Sequence, residues 1–264
     1  MKLILCLLLL CVSTVESQTL DSQTANSQTI EFKIDSISRK SEEKTFLKKT
    51  VVPRILIGVS LLATGTTFEN RIQESIRNSV GTDFTTTIDN YLWYVPLAEM
   101  YSADLLGIKS KNHWFDQSKN AFLAHTINKY TTNALKGLVG KERPSGYNNA
   151  SFPSGHTSKA FTSATILYEE FKDTNTLLAY SGFVFASTTG FLRIAKNAHY
   201  LSDVLAGAGL GILITKLVYH FDYLFDWNPF ESNKNNEGLT VAPKFNIAPT
   251  FNNESVGLAA VLQF

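Results

Sequence analysis

The stretch Arg193-Ile-Ala-Lys-Asn-Ala-His199-Tyr-Leu-Ser-Asp203 leads directly into a glycine-rich segment, Val204-Leu-Ala-Gly-Ala-Gly-Leu-Gly211. Each of its three glycines, Gly207, Gly209 and Gly211, weakens a helix by about 1 kcal/mol relative to alanine. That cost is tolerated where another helix approaches so closely that a side chain would not fit. The segment therefore predicts a helix that packs tightly against a neighbour directly behind the histidine and the aspartate.

His199 and Asp203 are four residues apart in this stretch. On one helix they would share a face, so the carboxylate could accept a proton from one ring nitrogen and leave the other nitrogen free as a nucleophile. The plainer interpretation is an exposed ion pair that contributes about 0.3 kcal/mol to stability. The spacing alone leaves both interpretations open.

A second stretch, Phe152-Pro-Ser-Gly-His-Thr157, opens a predicted helix that continues toward Phe171. With Ser154 or Gly155 at the helix N-terminus, free backbone N–H groups and the positive end of the helix dipole can bind an anion. His156 lies in the first turn, where a positive charge opposes that dipole. This misfit favours a chemical role for His156.

Basic residues dominate a third stretch, Lys136-Gly-Leu-Val-Gly-Lys-Glu-Arg143-Pro144. Pro144 disfavours helix at Arg143, so Lys136 at a helix end and Arg143 in a loop can converge. For this stretch alone, a helix C-terminus enriched in cations is the simpler explanation. Lys141, inside the same stretch, is predicted to be a solvated surface charge.

Together the stretches combine three cations with two imidazoles, namely Lys136, Arg143, Arg193, His156 and His199. Around a helix N-terminus this combination is typical of an anion pocket. A metal site is not predicted, because the cations would repel a metal ion and no His-x-x-x-His pair occurs in the sequence. The remaining histidines are expected to be structural: His113, His125 and His220.

The whole chain has 264 residues, of which 44% are hydrophobic and 18% are charged, enough for one substantial core. Its net charge of +1 excludes the broadly basic surface that nucleic-acid binding needs. From Val51 onward, apolar blocks alternate with helix-breaking residues, which predicts an all-α bundle of about six core helices. The predicted helices cover 53–66, 69–79, 87–106, 115–138, 156–171, 175–195 and 201–222.

Three uncharged runs, Ile55–Phe68, Thr174–Leu192 and Val204–Thr215, have lengths of 14, 19 and 12 residues. A helix needs about 20 mostly apolar residues to cross a bilayer. Only the second run approaches that length. A soluble bundle, a bundle seated at the membrane surface and an integral one therefore all remain open.

The first 17 residues, with Lys2 followed by the uncharged run Leu3–Val15, are typical of an export signal. We therefore expect an exported mature chain, periplasmic, membrane-associated or integral to the membrane, that begins near Gln18 and lacks both cysteines of the sequence. The expected organisation is a signal peptide at 1–17, a polar spacer at 18–50, a helical domain at 51–226 and a tail at 227–264 with a short β-hairpin.

Three motifs follow one another along the chain: Lys136-x6-Arg143-Pro144, then Pro153-Ser154-Gly155-His156, then Arg193-x5-His199-x3-Asp203. In this order they resemble the tripartite signature of the type 2 phosphatidic acid phosphatase and vanadium haloperoxidase superfamily, in its bacterial phosphatase branch. The resemblance extends over about residues 90–220. It departs from the family at Leu192, where a serine is usual.

The resemblance implies a role for each residue of the motifs. His199 would attack phosphorus and form a phosphohistidine, Asp203 would orient His199, and His156 would protonate the leaving oxygen. The phosphate oxygens would be bound by Lys136, Arg143, Ser154, Gly155 and Arg193. No metal ion or other cofactor is required, and His199 is expected to start neutral while His156 starts protonated.

The expected activity is that of an acid-phosphatase-type hydrolase that acts on a phosphomonoester or a diphosphate. Its expected substrate is a lipid, such as phosphatidic acid, an isoprenyl diphosphate or a lipid A phosphate, met at a membrane surface. Three alternatives remain. They are a soluble non-specific acid phosphatase, a vanadate-dependent haloperoxidase, which is usually a longer chain, and a non-catalytic anion-binding protein, which would not need a nucleophile.

Overall fold

The computed structural model describes residues 46–225 and the backbone of residues 244–252 and 255–263. The predicted export signal and most of the predicted spacer, at residues 1–45, lie outside the described residues. The α-helices are α1 (Val51–Ala63), α2 (Thr67–Val80), α3 (Val95–Leu105), α4 (Trp114–Val139), α5 (Gly155–Phe171), α6 (Thr176–Ala195) and α7 (Leu201–His220). Short 3-10 helices cover Ile88–Asn90, Leu92–Tyr94 and Asp222–Phe225.

The predicted all-α bundle is confirmed, with two changes in helix boundaries. The helix predicted at 53–66 ends at Ala63, because Gly65 adopts a positive φ of 73° and Thr66 caps the next helix by accepting a hydrogen bond from the Glu69 N–H. The helix predicted at 87–106 is α-helical only from Val95, where Pro96 stands in the first turn. A proline there lacks only an N–H that has no partner within the helix.

Helices α5 and α7 form the centre of the bundle, with α4 and α6 beside α5 and α1 beside α7. A Cβ added at Gly207 would lie 2.5 Å from the Ser154 carbonyl oxygen, and one added at Gly211 would lie 2.4 Å from the Ser158 carbonyl oxygen. The close packing predicted from the glycines is therefore confirmed. It brings the N-terminus of α5 against the first turns of α7.

Apolar side chains fill the space beneath this contact. One cluster joins α3, α4, α5, α6 and α7, and its largest fully buried members are Met100, Ile166, Leu167 and Phe171. Burial of each such side chain contributes about 2 kcal/mol. The core therefore lies at the end of α5 opposite to its N-terminus and fixes the direction of that helix.

Among the described residues, two helices are long and apolar enough to cross a membrane, α6 and α7, and the pair α1 and α2 passes the same test together although it is bent by 97°. From its sequence, only the run that became α6 approached the length of a span. Helix α7 also qualifies because its mean hydropathy is high and it carries only two charged residues, Asp203 and Lys216. Large apolar side chains on α6 stay exposed, among them Leu177 at 85% and Val184 at 65%. These features support membrane association.

The predicted hairpin is present as two antiparallel strands, β1 (Lys244–Asn252) and β2 (Ser255–Gln263). Their register pairs Lys244 with Gln263 and Asn252 with Ser255. The short connection between the two strands accounts for the antiparallel arrangement.

The glycine contact can be tested with Gly207→Ala. The added methyl group would overlap the Ser154 carbonyl, so we expect a loss of about 1–3 kcal/mol in the free energy of unfolding. Gly58→Ala is the matched control, since a Cβ at Gly58 in α1 meets nothing within 4 Å. This control should leave stability unchanged or raise it by up to about 1 kcal/mol. Thermal unfolding followed by circular dichroism measures both, and equal effects would contradict the proposed contact.

Candidate active site

The N-terminus of α5 forms one wall of a cavity of about 270 Å³. Ser154 is the N-cap residue and is fully buried, and its backbone N–H donates to the Asp203 carbonyl oxygen at 2.9 Å. Gly155 and His156 follow in the first turn and line the cavity. The first N–H groups of a helix have no partner within it, so this wall is suited to an anion.

His199 lies in the loop between α6 and α7, two residues before α7 begins, and lines the same cavity. His199 and Asp203 therefore do not lie on one helix, which was the condition under which their spacing would place them on the same face. The Nδ1 of His199 nevertheless lies 3.7 Å from Asp203 Oδ2. No hydrogen bond joins these two atoms, and this Nδ1 has no hydrogen-bond partner among the described residues. With Nδ1 facing Asp203, Nε2 is the nitrogen left to react.

Asp203 is fully buried behind His199, and several donors hold its carboxylate. The Tyr200 N–H donates to Oδ2 at 2.8 Å, and the Ser151 hydroxyl donates to the same oxygen. Lys141 Nζ donates to Oδ1 at 2.9 Å. A buried carboxylate with this many donors keeps its charge and its position.

The prediction of a solvated Lys141 is wrong. Its ammonium group bridges Asp203 and Glu69, at 2.9 Å from an oxygen of each, and it also contacts the Ser202 hydroxyl. The side chain is only 13% exposed. Two buried carboxylates on α2 and α7 require a nearby cation, and the loop after α4 supplies it.

The predicted phosphate-binding cations reach the site from two directions. Lys136, in the last turn of α4, and Arg143, in the following loop, both line the cavity. Lys136 Nζ donates to the Ala150 carbonyl oxygen at 2.6 Å, and Arg143 Nε donates to Asn148 Oδ1 at 2.9 Å. Burial, with the nearby Arg143 charge, lowers the pKa of Lys136 to about 8.

Arg193 does not line the cavity, and its guanidinium group is paired with Asp89. It is 7% exposed, and one terminal nitrogen donates to Asp89 Oδ2 at 2.6 Å. Lys196 donates to the other oxygen of the same carboxylate at 2.9 Å. The Arg193 Nε has no partner among the described residues and remains available as a donor.

Asn90, the residue next to Asp89, positions the side chain of His156. Its Nε2 lies 2.9 Å from Asn90 Oδ1, an acceptor, so Nε2 carries a hydrogen. Both Asp89 and Asn90 belong to the 3-10 helix Ile88–Asn90, more than 60 residues away in sequence from His156. Neither residue could be found from the sequence, because no local pattern marks a contact over that distance.

The two imidazoles do not start in opposite protonation states. Burial lowers the pKa of His199 to about 4, partly opposed by Asp203, and burial together with the Arg193 charge lowers the pKa of His156 to about 4. Both rings are therefore neutral near pH 7. The expectation that His156 starts protonated is wrong.

The other histidines make structural contacts outside the cavity. His113 caps α4, His125 Nε2 lies 3.1 Å from the Ser163 hydroxyl, and His220 packs on Phe46 with ring centroids 4.4 Å apart. Within residues 46–225 no group of three histidine, cysteine, aspartate or glutamate side chains is arranged to hold a metal ion. The chemistry of this cavity is that of an anion pocket with two imidazoles.

Comparison with known proteins identifies relatives of the chain. Residues 117–227, which contain every predicted site residue, match the PAP2 superfamily. The lipid A 1-phosphatase of Porphyromonas gingivalis is 34% identical over 188 residues, which are 69% of this chain and 42% of that protein. The chain thus matches less than half the length of this relative.

Two solved structures resemble the chain. One is Aquifex aeolicus LpxE, with a TM-score of 0.44 and 21% identity, covering 60% of this chain and 98% of that chain. The other is a transmembrane PAP2 type phosphatidylglycerolphosphate phosphatase from Bacillus subtilis, with a TM-score of 0.48 and 19% identity, covering 69% of this chain and 99% of that chain. The resemblance inferred from the three motifs is confirmed by this family match, and residues 117–227 form a PAP2 superfamily domain.

Proposed function

We propose that this protein is a metal-independent phosphatase that hydrolyses a phosphorylated lipid through a phosphohistidine on His199. One observation carries the proposal. A single cavity presents His199 and His156 beside Lys136, Arg143 and the N-terminus of α5. Cations and helix N–H groups stabilise the charge of a transferring phosphoryl group, and a neutral imidazole backed by a carboxylate supplies the nucleophile.

The proposed reaction has two transfers. His199 Nε2 attacks phosphorus while the bond from phosphorus to the leaving oxygen breaks, and His156 gives a proton to that oxygen. The His199 ring becomes positive, and the Asp203 carboxylate, 3.7 Å from Nδ1, stabilises this charge. Water then attacks the phosphohistidine and gives its proton to His156, and the nitrogen–phosphorus bond breaks to release phosphate.

The low pKa of His156 requires that the substrate helps to charge this residue. A phosphate ester titrates near pH 6, so its monoanion can bring a proton into the cavity. The bound phosphate then places negative charge beside the imidazole, which raises the pKa of His156. Substrate binding therefore produces the general acid that the first transfer needs.

We further propose a lipid substrate at a membrane, reached after export. The name of the Porphyromonas gingivalis relative favours a lipid A type phosphate. Two helices suited to a membrane and the exposed apolar face of α6 support access from a lipid surface. Export to the periplasm, through the signal predicted at residues 1–17, is part of the same proposal.

The nucleophile is tested with His199→Ala. Because the phosphorus–nitrogen bond cannot form, we expect phosphate release from phosphatidic acid in detergent micelles to fall by at least about 10³-fold. The acid-labile phosphoenzyme seen after brief mixing should also disappear. His220→Gln, outside the cavity, is the matched control and should retain both signals. Near-normal turnover by His199→Ala, or loss of wild-type turnover in EDTA with rescue by zinc or magnesium, would contradict the proposal.

The pH dependence of kcat/KM follows from the free protein. His199 must be neutral, so the rate should fall as pH drops toward its pKa of about 4, and Lys136 must be charged, so the rate should fall as pH rises through about 8. Lys136→Arg keeps the charge at high pH, so the fall in rate on the alkaline side of the profile should shift to higher pH, while the acid side should not move. The substrate's own ionisation near pH 6 lowers both rates equally, so Lys136 is tested by the ratio of the variant rate to the wild-type rate, which should rise through pH 8. A ratio that stays constant there would exclude Lys136 as a cause of the alkaline fall.

The roles of His156 and Asn90 are tested by the leaving group. His156→Ala should slow an alkyl phosphate by about 10²-fold or more but p-nitrophenyl phosphate much less, because nitrophenolate departs without a proton. Asn90→Ala should give a smaller effect with the same dependence, since Asn90 only positions the imidazole. A variant that is merely misfolded would lower both rates equally. Equal losses on both substrates would therefore reject these roles.

A further inference from the structure

Two lysines line the cavity in addition to the residues already assigned to the phosphate. They are Lys129 on α4 and Lys159 on α5. Asn128, Thr132 and Asn133 line the space between, and no aspartate or glutamate of the described residues does. The cavity therefore carries more positive charge than one phosphate needs, and it provides no internal carboxylate to balance that charge.

The helix geometry separates these lysines from the phosphate-binding end. Lys129 and Lys136 are seven residues apart on α4, close to two full turns, so they share a face at a distance of about 10 Å along the axis. Lys159 lies three residues after His156, one turn further from the N-terminus of α5. Both lysines thus stand on the same walls as the phosphate-binding residues, but displaced along the helices.

These two lysines differ in their partners from five other lysines of the described bundle. Lys119, Lys141, Lys172, Lys196 and Lys216 each form an ion pair with a carboxylate. Lys129 and Lys159 form none within residues 46–225, and both are exposed at the cavity. Lys159 Nζ lies 5.6 Å from the centre of the Trp93 ring, a contact that orients the side chain without neutralising it.

We propose that Lys129 and Lys159 form a second anion-binding subsite that takes a further anionic group of the same substrate. The inference rests on the proposed phosphatase function and narrows its substrate class. The preferred substrate then carries two anionic groups separated by several bonds, with one at His199 and the other at this subsite. A diphosphate, whose phosphorus atoms share one oxygen, is too short to occupy both ends.

The same chemistry could come from a neighbouring anionic lipid instead of the substrate. Soluble probes separate these sources. We compare hexyl phosphate with hexane-1,6-diol bisphosphate as competitive inhibitors of p-nitrophenyl phosphate hydrolysis, in the absence of any lipid surface. Two equivalent ends give the bisphosphate a statistical advantage of about twofold, and any larger advantage measures the second subsite.

For the wild type we expect the inhibition constant of the bisphosphate to be about tenfold lower than that of hexyl phosphate. In the double variant Lys129→Gln/Lys159→Gln this ratio should fall to about two, while Lys109→Gln, an exposed lysine elsewhere, should keep the wild-type ratio. The ratio is used because loss of the Lys159 charge also affects the pKa of His156. Higher salt should reduce the wild-type ratio, since the subsite is open to solvent.

Two results would overturn the inference while leaving the phosphatase proposal intact. They are a wild-type ratio near two and a ratio that the double variant does not change. A ratio near two combined with weaker binding of the double variant to phosphatidylglycerol vesicles would assign the lysines to a lipid surface. Failure of the wild type to hydrolyse p-nitrophenyl phosphate at all would instead count against the proposed function itself.

Discussion

The close approach of α5 and α7 is the constraint on which the rest of the site depends. The Ser154 carbonyl lies where a side chain at Gly207 would stand, and the Ser154 N–H bonds to the backbone of Asp203. This contact places the free N–H groups of α5 beside the loop that carries His199. Any residue larger than glycine at this crossing would push the helix N-terminus away from the imidazole. The glycines lower the stability of α7 as a helix, but they permit this close approach of the two backbones.

Charge is arranged around this contact in layers. Carboxylates stand behind the cavity and hold basic groups around it. Asp203 lies behind His199, and Asp89 lies behind Arg193. The cavity itself is lined by lysines, an arginine and neutral imidazoles. This separation keeps the interior attractive to an anion while every buried carboxylate of the site retains a cation or several donors.

The sequence predicted the helices and the main site residues because both depend on short-range patterns. Apolar periodicity located α4 to α7, and each of the three motifs lies within eleven residues. What it could not predict depends on distant contacts. Asp89 reaches Arg193 across 104 residues and Lys141 reaches Glu69 across 72, and neither distance leaves a local signal. The pKa of His156 was also misjudged, because burial of the imidazole and its closeness to Arg193 are tertiary properties.

The central claim is that one anion pocket, built by α5, α7 and the end of α4, holds the phosphoryl group against His199. Orthovanadate adopts the five-coordinate geometry of a phosphoryl group in transfer, so its position reports that pocket directly. A crystal structure of the complex should place vanadium within bonding distance of His199 Nε2, with its oxygens contacted by Lys136, Arg143 and the first N–H groups of α5. Vanadate bound elsewhere, or bound without a contact to His199, would contradict the account.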